Sequence, residues 1–207
     1  MSSPAGSTRV AIVRTGTANT ASVIAAMERL QLEPFLTNAA RDIEAANYVV
    51  LPGVGSFEAA AQSLDEGDLR KVLRRRIEQR KPTLTICLGM QLLCSSSEES
   101  PNIQGLGLID QRIRRFPDDV LVPHLGWNRV EPEGCELLED GYAYFANSFR
   151  LEELPGGWAG ASTDYGGRFI SALESGAVLA CQFHPELSGR FGAELLARWV
   201  QRGKEVS

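Results

Sequence analysis

The chain has 207 residues, 43% hydrophobic and 23% charged, with a formal net charge of -5. That length fits one domain with a sizeable core. The acidic balance argues against a nucleic-acid surface, and no apolar stretch approaches the length of a membrane span. Residues 1–8 are small and polar, with no charged start ahead of an apolar core. We expect a flexible N-terminal segment there instead of a signal peptide, and a single cytoplasmic domain over residues 9–207.

In chain order, Val10 to Val13 is predicted as a strand, and Thr20 to Leu30 as a helix with Val23, Ile24, Met27 and Leu30 on one face, capped by Asn19 or Thr20. Tyr48 to Leu51 is a second strand, ended by Pro52-Gly53-Val54-Gly55. A helical stretch follows from Phe57 to Arg80, broken near Gly67, with Lys71, Arg74, Arg75, Arg76 and Arg80 on a solvated outer face. Thr83 to Ile86 is a strand that runs straight into Cys87. The βαβα alternation predicts an α/β fold, a mostly parallel sheet flanked by helices, with its site at the carboxyl ends of the strands. Beyond Gly105 the pattern changes to shorter strands: Gly105 to Arg115, Val130, Tyr142 to Ala146, Trp158 to Ser162, Phe169 to Leu173 and Val178 to Phe183. These suit an antiparallel extension or a smaller sheet beside the main one. Gly189 to Val200 closes the chain as a helix.

Cys87 stands on a strand-to-helix turn, where unpaired N–H groups and a helix dipole favour thiolate over thiol. His184 follows an apolar strand and is itself followed by Pro185 and Glu186. A thiolate, an imidazole and a carboxylate in that arrangement suit a nucleophile, its proton carrier and the group that orients the carrier. Taken alone, the cysteine reads as a core residue and the His-x-Glu as a surface pair. Gly53-Val54-Gly55 reads equally as an ordinary βα turn or as backbone aimed, with the N–H of Leu88, at a developing oxyanion. Gln91, one helical turn after Cys87, faces either a polar substrate or water. Cys94, Cys135 and Cys181 read as buried small residues. With no Cys-x-x-Cys pair and only two histidines, no metal site is expected.

At these residues the chain resembles the triad-type, class I glutamine amidotransferases. The resemblance narrows to the glutaminase subunits of imidazole glycerol phosphate synthases through Leu51 to Gly55, Cys87 to Leu93, Gln182 to Glu186 and, most specifically, Pro123-His124-Leu125-Gly126-Trp127-Asn128. It implies a flavodoxin-like glutaminase fold, a Cys87–His184–Glu186 triad that hydrolyses glutamine to glutamate and ammonia, and an oxyanion site at Val54 and Leu88. It also implies a substrate pocket formed by Gly53, Gly55, Gln91, Glu99, Asn147, Ser148 and Phe149, with Glu99 on the α-ammonium of glutamine. No cofactor is implied. The implied partner is a (β/α)8-barrel cyclase in a one-to-one complex, receiving the ammonia to make imidazole glycerol phosphate and aminoimidazole carboxamide ribotide in histidine biosynthesis. Asn19, His124, Trp127 and Asn128 are the expected partner-facing residues, with Thr15 to Asn19 as one loop of that surface.

Three positions depart from the family pattern: Thr85 where the elbow has glycine, Asn147 where histidine is usual, and Leu187 in place of a lysine. A catalytically silent amidotransferase-like binding subunit and a free-standing cysteine hydrolase of γ-glutamyl compounds are the competing expectations.

Overall fold

A computed structural model describes residues 8–15 and 20–206. Four short apolar runs, β1 (Arg9–Val13), β3 (Tyr48–Leu51), β4 (Thr83–Ile86) and β12 (Val178–Cys181), form the parallel centre of a nine-stranded sheet. β3, β4 and β12 are buried at every position, because helices cover both faces of the sheet. Successive residues alternate between two cores. Val10, Ile12, Val50, Ile86 and Leu179 point to the side covered by α1 (Thr20–Arg29) and α6 (Gly189–Glu205), through Val23, Met27, Leu195 and Trp199. Val13, Val49, Leu51, Val178 and Ala180 point to the other side, covered by α2 (Ala40–Ala45), α3 (Phe57–Ser63) and α4 (Leu69–Glu78).

The predicted break near Gly67 is present: Gly67 and Asp68 both adopt positive φ between α3 and α4. One residue of the basic run corrects the expected solvated face. Arg76 is buried, and its guanidinium donates to the carbonyls of Ile43, Asn47 and Pro82, tying α4 to α2 and to two loops. Burial lowers its pKa to about 10. Ahead of Cys87, two elements escaped the sequence reading, β2 (Glu33–Thr37) and the short α2. β2 pairs only with β1, at the sheet edge, where Pro34 costs no second ladder bond.

The second half extends the same sheet with β11 (Arg168–Ser175), β10 (Ala159–Asp164), β7 (His124–Glu133) and β8 (Gly141–Asn147), all antiparallel. The strand order is β2-β1-β3-β4-β12-β11-β10-β7-β8, so β12 joins the parallel half to the antiparallel half. His124, Trp127 and Asn128, expected at a partner-facing surface, lie in the first half of the ten-residue strand β7, which starts just after Pro123. A second sheet also forms, from β5 (Cys94–Ser97), β6 (Ile109–Arg115) and β9 (Phe149–Arg150). It brings the Glu98–Glu99 turn and Ser148–Phe149 to the carboxyl end of β4. Cys94 and Cys181 are buried, whereas Cys135 is half-exposed. Among the described residues, no helix is long and apolar enough to cross a membrane.

Candidate active site

β4 ends in an unusual residue. Cys87 has φ 53° and ψ -110°, a conformation that non-glycine residues rarely hold and that costs roughly 1–3 kcal/mol. The surroundings enforce it. The Cys87 N–H donates to Cys181 O at 2.7 Å, which ties the turn to β12. A Cβ on Gly89 would lie 2.1 Å from Leu51 O, and one on Gly53 would lie 2.8 Å from both Gly89 N and Leu88 Cβ. The turns after β3 and β4 therefore pack backbone to backbone, which only glycine permits. The elbow forms with Thr85 in place, fully buried in β4. The helix expected after Cys87 is a single turn, α5 (Leu88–Gln91), before the chain enters β5.

His184 follows β12 and begins a 3-10 turn over Pro185–Leu187. Its backbone N–H donates to Tyr144 O at 2.9 Å, and Ser188 Oγ donates to its carbonyl at 2.6 Å. The turn brings Glu186 back onto the ring, with Nδ1 and Oε1 2.8 Å apart and both side chains almost fully enclosed. Nε2 is the nitrogen left to face Cys87. Burial by itself would keep this imidazole neutral, but hydrogen bonding and charge from Cys87 and Glu186 outweigh it and raise the His184 pKa to about 10. The imidazole is thus held between the Cys87 sulfur and the Glu186 carboxylate, a setting that favours its charged form.

Cys87 and His184 line a cavity of about 200 Å³ together with Val54, Gly55, Leu88 and Gln91. Its far wall is Glu99 on one side and Ala146, Asn147, Ser148 and Phe149 on the other. Glu99 accepts from the Phe57 N–H at 2.7 Å, so the first turn of α3 fixes the carboxylate. Asn147 Nδ2 donates to Phe149 O at 2.9 Å. Gly53 does not reach this cavity. It borders a second hollow of about 200 Å³ behind His184, with Val54, Glu186 and Leu187. Two larger depressions beside α4 hold none of these groups, and their Arg70 and Arg74 are spent on the carbonyls of Gly105 and Leu106.

Gln91, left open between substrate and water, is buried and donates through Nε2 to Phe149 O at 3.2 Å and to Gln182 Oε1 at 3.0 Å. Gln182 in turn places its Nε2 3.6 Å from Cys87 Sγ. The sequence reading quoted Gln182 only as part of a motif. Its place two residues before His184, at the end of an apolar strand, was the available signal.

The expected partner-facing group divides. Asn19 lies outside the described residues. Trp127 is 56% exposed. His124 is corrected: its ring is buried, stacked on Tyr165 at 3.9 Å and on Phe145 at 4.8 Å between centroids. Burial lowers its pKa to about 4. It fell inside because β7 alternates, which sends Leu125 and Trp127 outward and His124 inward. Asn128, partly exposed, donates to Asp164 O at 2.9 Å.

The family model for class-I glutamine amidotransferases matches residues 11–202. Among curated relatives, a protein of Methanopyrus kandleri named imidazole glycerol phosphate synthase subunit HisH is 43% identical over 192 residues, covering 91% of this chain and 95% of its own. A protein of the same name from Methanothermobacter thermautotrophicus is 40% identical over 196 residues, covering 93% and 98%. One from Oceanobacillus iheyensis is 36% identical over 197 residues, with the same coverage. Among solved structures, a glutamine amidotransferase superposes with a TM-score of 0.76 at 19% identity, covering 94% of this chain and 98% of that one. PurLQS from Thermotoga maritima superposes at 0.71 and 17% identity, covering 97% and 99%. These two speak for the fold, and the curated relatives speak for the lineage. The chain belongs to the class-I glutamine amidotransferase family, in the branch occupied by its relatives named HisH.

Proposed function

We propose that this chain is the glutaminase subunit of an imidazole glycerol phosphate synthase, a cytoplasmic enzyme of histidine biosynthesis. Cys87, as the thiolate, attacks the side-chain carboxamide of glutamine, and the His184 imidazolium gives its proton to the leaving ammonia. Water then cleaves the glutamyl thioester with His184 as base, Glu186 holding the ring's tautomer and supporting its charge. Val54 and Leu88 are the candidate oxyanion donors, Glu99 the anchor for the α-ammonium, and Gln91, Asn147, Ser148 and Phe149 the remaining wall of the pocket. The observation that carries this reading is the convergence of Cys87 and His184 on one cavity that also contains a fixed carboxylate, Glu99, with Glu186 bonded to the imidazole from behind.

The partner is a (β/α)8-barrel cyclase, bound one to one, that takes up the ammonia. Leu125 and Trp127, both exposed on one face of β7, offer it an apolar surface, and Trp127 packs beside Gly189, just beyond the Glu186 turn. The test is glutamate release from glutamine, with and without the cyclase and its ligand. Release is expected to rise with the loaded partner and to vanish in Cys87→Ala. If Cys87→Ala released glutamate as fast as the parent, the nucleophile would be misassigned, and equal rates without the partner would remove the coupling.

A further inference from the structure

We infer that Gln182 holds the reactive sulfur of Cys87 by donating an amide N–H to it, in addition to the contact from His184, and that Gln91 fixes the direction of that amide. The inference rests on the reading of Cys87 as the nucleophile and names a further group acting on it.

The polarity of the chain of contacts follows from donors and acceptors alone. Phe149 O can only accept, so the end of the Gln91 amide 3.2 Å from it must be the NH2. The same nitrogen lies 3.0 Å from Gln182, which must then present its oxygen. With its oxygen committed, Gln182 has only its NH2 to turn toward Cys87 Sγ, 3.6 Å away. A backbone carbonyl of β9 thus sets, through two amides, which end of Gln182 meets the sulfur. The side chain is 0% exposed, so no water competes for either end. Its backbone is fixed as well, its N–H donating to Ser171 O at 2.9 Å.

A hydrogen bond to the charged form of a group stabilises that form. His184 supplies one such contact to the sulfur and, on this inference, Gln182 supplies a second that carries no charge. The two differ in what happens during turnover. His184 gives its proton away and loses its charge, whereas Gln182 keeps its donor throughout. It therefore holds the sulfur's position while the imidazole changes state. Gln91 belongs to both the pocket wall and this chain, so a change at the pocket wall reaches the nucleophile's donor through a single hydrogen bond.

The test is the pH dependence of Cys87 alkylation by iodoacetamide, read at the midpoint of the rate profile, which does not depend on how easily the reagent enters. Cys87→Ala gives the background from the other three cysteines. In Gln182→Leu, close in volume and without a donor, the midpoint is expected to rise by about one pH unit, with thermal melting within a few degrees of the parent. In Gln91→Leu, which leaves Gln182 in place but frees it to rotate, a smaller rise is expected. An unchanged midpoint in folded Gln182→Leu overturns the inference. Should that variant not fold, Gln91→Leu decides: a raised midpoint supports the inference, and the parent's midpoint overturns it. The measurement needs neither glutamine nor a partner. A protein that shows the midpoint shifts but never releases glutamate would refute the proposed function and leave this inference standing.

Discussion

The molecule has two histidines, both buried, in opposite halves of one sheet, and they are driven in opposite directions. His184, at the carboxyl end of the parallel strand β12, meets Cys87 and Glu186 and is raised to about 10. His124, at the start of the antiparallel strand β7, is packed between the rings of Tyr165 and Phe145 and lowered to about 4. Burial disfavours the charged ring at both places. What separates them is whether the surrounding elements deliver anionic groups or aromatic faces. Parallel strands open into turns at one end of the sheet, where side chains from distant segments converge. Neighbouring antiparallel strands instead bury alternate side chains against each other. A histidine in the first setting is equipped to carry protons, and one in the second is a packing element.

The sharpest way to break this comparison is to remove the charged ring. His184→Asn is expected to lower glutamate release, assayed with the loaded partner, by about 10³-fold or more. A rate within tenfold of the parent would show that the convergence around His184 has no catalytic meaning. The convergence also depends on the backbone beneath it. Gly89→Ala would drive a methyl group into Leu51 O, and an expected loss of about 3 kcal/mol or more in denaturant unfolding measures that close approach. Unchanged stability would mean that the two turns part without cost.

The remaining two predictions use the titrations. His124 binds its proton less readily folded than unfolded, so its contribution to stability is full above pH 6.5 and is lost as pH falls toward about 4. His124→Phe, which keeps a ring in the stack, is expected to remove on the order of 1–3 kcal/mol of that acid-side loss. An identical acid unfolding curve would place His124 in contact with water. For His184 the sign reverses. Its stabilising share is full below pH 6.5 and is lost as pH rises toward about 10. The alkaline slope of stability is expected to flatten modestly in His184→Gln, and an unchanged slope would mean that the imidazolium is not held by Cys87 and Glu186.

How legible these regions were in the sequence follows the same division. β3 and β12, and β1 after Arg9, are continuous apolar runs because both faces are covered, and β4 carries only two buried threonines among its apolar residues, so all four stand out against polar turns. β2 and α2 did not, since an edge strand containing Pro34 and half-buried on its faces has no clean period. β7 was hidden for a different reason. Gly126 and Pro132 interrupt its propensity, and its alternation places Leu125 and Trp127 on the outside, so hydrophobicity pointed the wrong way for His124. At the site, Cys87, His184 and Glu186 stood out through chemistry at strand ends. Gln182 did not, because a glutamine between Cys181 and Phe183 acquires its role only when β12 is laid beside β4 and Gln91 arrives from α5.

That placement of β12 also governs timing. The strand follows every other described strand in sequence, yet it fills the middle of the sheet, between β4 and β11. As synthesis proceeds from the N-terminus, a chain still attached to the ribosome and ending before Val178 holds the two halves of its sheet unjoined. Cys87 has by then emerged, without Cys181 to pin its elbow and without His184 to share its cavity. The cavity around Cys87 is therefore assembled only once β12 is laid into the middle of the sheet.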